Sequence, residues 1–337
     1  MYMKLSILDQ SPISEGQAPQ KALQETVELA RLAEELGYER FWVSEHHDAD
    51  TLAGSSPEVL LGHLTAKTNT IRLGSGGVML PHYSAYKVAE NFKVLSALAP
   101  GRIDLGLGRA PGGMPRASFA LSNGRKREKD RFPEQMDDVL AYLNDQPVPH
   151  PYSGVKATPA VDVPPDVWLL GSSPSSAALA AEKGLPYMFA KFINGDGGPR
   201  ELAEYRRSFQ PSEHLKTPKA AIAVFLICAE TDEEAAYLAG SLELSLMMTG
   251  QGIQSKGTPS PEKAAAYSYG KFELLHVEEN RKRMIVGGPD TVRMKLEKLA
   301  EECGTDEIMA VTILFDFEKK KRSFQLLAQA AGPKKLP

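Results

Sequence analysis

Short apolar runs of strand character alternate with segments of helical periodicity along the whole 337-residue chain, and this alternation limits the fold more than any other feature. Strand-like runs fall at Lys4–Asp9, Phe41–Ser44, Ile71–Ser75, Ile103–Gly108, Val167–Leu170, Tyr187–Ala190, Ala220–Ala229 and Ile308–Leu314. Between them lie helical stretches over Ala18–Leu36, from Ser56-Pro57-Glu58 onward, and over Ser84–Leu98, Pro133–Leu143, Ser175–Lys183 and Arg200–Phe209. A further helix runs from the capping box Thr231-Asp232-Glu233-Glu234 toward Met248, and a last one spans Lys319–Ala331. The boundaries carry their own chemistry. Gly37 stands where a helix ends, and Pro57 follows a serine cap. Uniformly apolar short strands are covered on both faces, which means a parallel sheet. Eight such strand–helix units predict a closed α/β (β/α)8 (TIM) barrel, with an open doubly wound sheet as the competing arrangement.

Three stretches break the spacing: Ala110–Arg131, Asn144–Pro165 and Gly250–Glu279. Loops of this length in a compact fold are binding loops, lids or unstructured. None has the composition of an interdomain linker, so residues 1–337 read as one barrel domain with insertions at the C-terminal face of its strands. A formal net charge of −4 gives no reason to expect nucleic acid or anionic membrane as a partner. No apolar run reaches the length of a membrane span, and MYMKLSILDQ lacks the features of a signal peptide. Cys228 and Cys303 match no metal or redox spacing and suit a reducing compartment. The basic run Lys319–Arg322 and the charged stretch Gly124–Arg131 read as the solvated face of a helix and an exposed loop.

In a barrel of this kind the reactive residues stand at the C-terminal ends of the strands. The second strand ends in Ser44-Glu45-His46-His47, the third in Gly74-Ser75-Gly76-Gly77, the fourth in Gly106-Leu107-Gly108-Arg109. Successive strand residues point to opposite sides, so His46 and His47 are poorly placed to chelate one metal, and no metal is expected. One of the two should face the mouth as an acid or base, while the other packs outward. The fifth strand leads into Gly171-Ser172-Ser173-Pro174-Ser175-Ser176, a serine-rich helix start whose unpaired amides and hydroxyls suit a phosphate. A helix cap alone would need only one of these serines. Arg109 could supply the matching cation, or form a surface ion pair. VGGPDT at Val286–Thr291 is a second helix start, better read as a cap with Pro289 in its first turn than as a phosphate loop. Gly106–Gly113 is not a dinucleotide fingerprint, because Pro111 takes the place of the third glycine.

Taken together, GYERFWVSEHH (Gly37–His47), IRLGSGGVMLPHYSAYKVAE (Ile71–Glu90), LAPGRIDLGLGRA (Leu98–Ala110), LLGSSPSSAALAAEKGLP (Leu169–Pro186) and IVGGPDTVRMKLEKLAEECGTDEIM (Ile285–Met309) resemble the bacterial luciferase-like monooxygenases, a flavin-dependent barrel family. The resemblance spans most of the chain. It implies reduced FMN as cosubstrate at the barrel mouth, dioxygen as oxidant, a small organic substrate, a separate NAD(P)H:flavin reductase and a homodimer. His46 matches the family's catalytic histidine, and Glu45 would orient it. Gly76 and Gly77 match a non-proline cis peptide beside the flavin ring. Arg109 matches the phosphate-binding arginine, Ser172, Ser173 and Ser176 the phosphate loop, and Gly250–Glu279 a mobile lid. Light-emitting members usually carry cysteine at the position of Gly108 and an acid at that of Ser172, so light emission is not expected. A deazaflavin-dependent hydride-transfer relative and a non-catalytic flavin-binding barrel remain the alternatives.

Overall fold

The computed structural model describes residues 3–124, 130–148, 152–213, 215–253 and 255–331. Eight parallel strands close the barrel: β1 (Lys4–Asp9), β2 (Arg40–Val43), β3 (Arg72–Met79), β4 (Ile103–Gly108), β5 (Asp166–Gly171), β6 (Tyr187–Ala190), β7 (Ala220–Cys228) and β9 (Glu307–Val311). Each pairs with the next, and β9 pairs with β1 to complete the ring. The eight expected strands are therefore all present.

A ninth strand, β8 (Met284–Gly287), was not expected from the sequence. It exists because β7 is longer than its neighbours. Ile222–Phe225 of β7 pair with β9, while Phe225–Cys228 above them pair with β8. Four residues between a charged helix and Gly287-Gly288 look like a helix start, not a strand.

The helices are α1 (Pro19–Leu36), α2 (Pro57–Thr65), α3 (Ala85–Leu98), α4 (Pro115–Leu121), α5 (Phe132–Leu143), α6 (Pro174–Glu182), α7 (Pro199–Ser208), α8 (Asp232–Gly250), α9 (Pro261–Ala266), α10 (Lys271–Arg281), α11 (Pro289–Cys303) and α12 (Phe317–Ala331). Three of these give structure to the irregular stretches: α4 in the insertion after β4, and α9 and α10 in the insertion after β7. The middle of the charged stretch, residues 125–129, lies outside the described residues. Among the described residues no helix is long and apolar enough to cross a membrane.

Outward-facing strand residues such as Phe41, Val43, Leu73, Leu105, Leu169 and Phe189 pack under the helices. Inward-facing Leu8, Trp42, Trp168, Met188, Ala221 and Met309 fill the barrel. Trp42 and Trp168 meet edge to face at 5.6 Å. Gly74 makes room for this pair: a β-carbon there would lie 2.5 Å from Trp42 Nε1 and 2.7 Å from Asp104 Cβ.

Below the tryptophans, a ring of charges closes the floor. Asp104 accepts from Arg40 Nη1 at 2.8 Å, Trp42 Nε1 at 2.9 Å and Arg72 Nη2 at 2.5 Å. Arg72 also reaches Asp166 at 2.7 Å, and Arg40 reaches Glu307 at 2.7 Å. Burial opposes the charge on Arg40, but Asp104 and Glu307 outweigh it and raise its pKa. The solvated-face reading of Lys319–Arg322 needs one correction. Lys319, Lys321 and Arg322 make half-exposed or surface ion pairs, but Lys320 is buried against Asp9 at 2.5 Å. Helical spacing turns it inward together with Ser323, Phe324 and Leu327.

Because Asp104 accepts from two guanidiniums and an indole, removing it leaves Trp42 Nε1 without that acceptor and leaves Arg40 and Arg72 to Glu307 and Asp166. Asp104→Ala is expected to lower the unfolding free energy by about 3–5 kcal/mol, read as a lower urea midpoint at unchanged m-value. A loss below about 1 kcal/mol would show that the floor ions act independently of folding.

Candidate active site at the barrel mouth

The end of β2 divides its side chains between two environments, as alternation requires. Glu45 and His47 turn to one side. Glu45 is buried; its Oε1 accepts from Tyr83 Oη at 2.7 Å and lies 2.7 Å from His47 Nε2, and its Oε2 accepts from the Met79 amide at 2.9 Å. Burial first, and then the bond to Glu45, push the Tyr83 phenol upward. The expectation that Glu45 orients His46 is therefore corrected: it orients His47, because residues two apart on an extended chain share a side. The His47 amide also donates to Gly112 O at 2.8 Å, which ties β2 to the insertion after β4.

His46 lies on the other side, the side of Trp42. Its amide donates to Gly54 O at 2.8 Å, and its Nε2 lies 3.3 Å from Nε2 of Gln10. Gln10 follows β1 and is buried. Sequence reasoning missed it. The signal was available in the parallel register, since Asp9 faces Val43 and the residues beyond them must meet. Ser44, just before Glu45, is also buried, and its Oγ has no hydrogen-bond partner among the described residues.

The glycine-rich end of β3 carries the expected cis peptide between Gly76 and Gly77. A β-carbon on Gly77 would lie 2.8 Å from Gly106 O and 2.6 Å from a Leu170 methyl. The end of β3 thus sits flush against β4 and β5, and a flat group could lie directly on backbone there.

Beside this cradle, Arg109 and the serine turn meet. Arg109 Nη2 is 3.4 Å from Ser175 Oγ, and Ser175 Oγ is 3.0 Å from Ser173 Oγ. Ser173 caps α6, with Ser176 returning a reciprocal bond to its amide. Ser176 Oγ faces inward, donating to Ser173 O at 2.7 Å and lying 2.9 Å from Tyr187 Oη. The Ser172 carbonyl accepts from Asn194 at 2.9 Å. Ser175 rather than Ser176 is the hydroxyl presented to Arg109. The guanidinium is half-exposed and also pairs with Asp130 at 3.0 Å. A guanidinium, a hydroxyl pair and a helix N-terminus together make a donor set for a phosphate. The second helix start is already occupied: Asp232 accepts from the Gly288 amide at 2.6 Å and from Thr291 at 2.9 Å, so it is a cap, as expected. Among the described residues no cluster of three or more His, Cys, Asp or Glu side chains could hold a metal ion.

Burial first, and the neighbouring His47 second, push the His46 pKa from 6.5 down to about 4. The imidazole is therefore neutral at pH 7. Between those values the unfolded chain takes up a proton that the native fold refuses. Stability is full above about 6.5 and falls as the pH drops toward about 4. In His46→Gln this acid sensitivity is expected to shrink by about 2 kcal/mol between pH 7 and pH 4.5, measured by urea unfolding at the two pH values.

Comparison with known proteins places the chain in a family. The chain is 55% identical over 329 residues to the uncharacterized protein YwcH of Bacillus subtilis (strain 168), covering 97% of this chain and 99% of that one. It is 42% identical over 332 residues to the N-acetyl-S-alkylcysteine monooxygenase of the same organism, covering 97% and 98%. The crystal structure of apo-MsnO8 superposes with a TM-score of 0.91 at 38% identity, covering 98% of each chain. The family model for luciferase-like monooxygenases matches residues 3–307. With that span matched and relatives this similar along nearly their whole length, the chain belongs to the luciferase-like monooxygenase family.

Proposed function

We propose that the chain is the oxygenase half of a two-component system, which takes reduced FMN from a separate NAD(P)H:flavin reductase and uses dioxygen to oxidise a small organic substrate. The observation that carries this reading is the meeting of Arg109 with the Ser173–Ser175 turn on the same rim as the Gly76-Gly77 cradle. The residues fit the cofactor. Arg109, Ser173 and Ser175 would hold the phosphate, and the backbone at Gly76 and Gly77, which admits no β-carbon, would back the flat ring. Bound reduced FMN would supply the two electrons that activate dioxygen for transfer of one oxygen atom.

His46 then holds or moves a proton at the mouth, and it does so as a neutral imidazole. The insertions carrying α4, α9 and α10 exclude water from the rim. The same reading makes the protein a cytoplasmic homodimer. Buried free thiols at Cys228 and Cys303 favour a reducing compartment, and the exposed apolar residues Val59, Val94 and Leu98 on the adjacent helices α2 and α3 favour pairing.

Anaerobic titration with reduced FMN is expected to give saturable binding, and Arg109→Ala to weaken it tenfold or more, about the value of a charge-assisted bond to phosphate. Preference for a reduced deazaflavin over reduced FMN in the same titration would replace this reading with hydride transfer. Turnover is tested with reductase, NADH and a substrate panel that begins with N-acetyl-S-alkylcysteines, the substrate class in the name of the 42%-identical relative. His46→Ala is expected to lower kcat by about a hundredfold while leaving flavin affinity in place. Equal turnover by the variant would remove His46 from the chemistry.

A further inference from the structure

His46 is the group that the proposed function needs, yet among the described residues the one side-chain hydrogen-bond partner of its imidazole is Gln10, not an acid. This matters because the two nitrogens of a neutral imidazole do opposite jobs, and a hydrogen bond to one decides which carries the proton. A carboxylate partner would accept, placing the proton on the nitrogen it touches. An amide nitrogen donates, which leaves the nitrogen it touches bare.

Gln10 is held by its own network. Asp9, at the end of β1, receives Lys320 of α12 at 2.5 Å and Thr26 of α1 at 2.6 Å. Ser11 on the far side donates its amide to the same carboxylate at 3.3 Å and shares a hydroxyl bond with Thr26 at 2.9 Å. Ser11 sits in the left-handed region at φ +49°, so the chain turns sharply just past Gln10. Asp9, Ser11, Thr26 and Lys320 are all at least nine-tenths buried. Gln10 is therefore flanked on both sides by anchored residues, and its side chain has little freedom to leave His46.

We propose that Gln10 is the positioning residue of His46. Its side-chain amide donates to Nε2 and holds the neutral imidazole as the tautomer protonated on Nδ1, with the Asp9–Thr26–Lys320 network fixing Gln10 in place. Nδ1–H is then the hydrogen-bond donor that His46 offers, and the Nε2 lone pair, shared with Gln10, is where the ring takes up a proton before it can pass one on from Nδ1. The catalytic consequence rests on the reading of His46 as the proton carrier; the tautomer itself does not.

The test is nitrogen-15 NMR of imidazole-labelled protein without flavin at pH 7.5, with the His46 signals identified by their loss in His46→Gln. Wild type is expected to show protonated Nδ1 and bare Nε2. Gln10→Ala is expected to shift the population toward the Nε2–H tautomer that an unrestrained imidazole favours. Gln10→Glu, whose carboxylate accepts, is expected to complete the shift. Thermal melting of the same samples separates this from loss of fold. A wild-type signal protonated on Nε2, or a signal unchanged in folded Gln10→Ala, overturns the proposal. In turnover assays Gln10→Ala is expected to lower kcat about tenfold with flavin affinity unchanged. A shifted tautomer with unchanged kcat would leave the assignment of Gln10 intact and count against His46 as the proton carrier.

Discussion

Everything at the rim depends on strand register, and register depends on the ions at the opposite end of the barrel. Asp104 of β4 holds Arg40 of β2 and Arg72 of β3, and Arg40 in turn holds Glu307 of β9. Four of the eight barrel strands are thus tied through side chains that point to the axis. A slip of one residue in any of them would turn its charge into the apolar layer beneath the helices, where a lone ion costs several kcal/mol. Such a ring contributes modest net stability when intact, because each ion gives up its water. Its effect is to exclude the alternatives. With register set at the floor, Asp9 faces Val43, Gly76 faces Gly106, and the residues that continue each strand arrive at the rim in a defined order.

Much of this could be read from the amino-acid order, and the parts that could not have a physical cause. The eight strands stood out because buried parallel strands are short, apolar and bounded by glycine, proline or caps. The meeting of Arg109 with the serine turn followed from topology alone, since β4 and β5 are neighbours. The resemblance singled out Ser172, Ser173 and Ser176 and not Ser175, and a cap and a ligand use the same residue types, so the sequence alone does not separate them. Only the coordinates show that Ser176 faces Tyr187 while Ser175 faces Arg109. Glu45 was assigned to the wrong histidine, although the alternation that separated His46 from His47 already placed Glu45 with the second. Gln10 has no local signature, being a glutamine after a strand, and only the pairing of β1 with β2 points to it. Its role exists only through a neighbour thirty-six positions away.

The two adjacent histidines illustrate how one strand end serves two purposes. His47 joins a carboxylate and a phenol and, through its amide, anchors the insertion after β4 to the barrel. That insertion carries Arg109 and α4, so the structural histidine sets where the cation stands. Among the described residues the side-chain hydrogen-bond partner of His46 is an amide, and burial holds the imidazole uncharged at pH 7. A carboxylate placed against it instead would have favoured imidazolium.

The pairing of Arg109 with Asp130 bears on how the rim handles anions. A guest phosphate does not meet a bare cation: Nη1 of the guanidinium already holds a carboxylate, while Nη2 is turned toward Ser175. The free energy of capture by Arg109 is then less than that of a bare guanidinium by the small worth of its surface pair with Asp130, and departure is eased by the same amount. On the reading proposed above, in which a carrier arrives from a partner and leaves after every cycle, such a moderated grip serves better than a tight one.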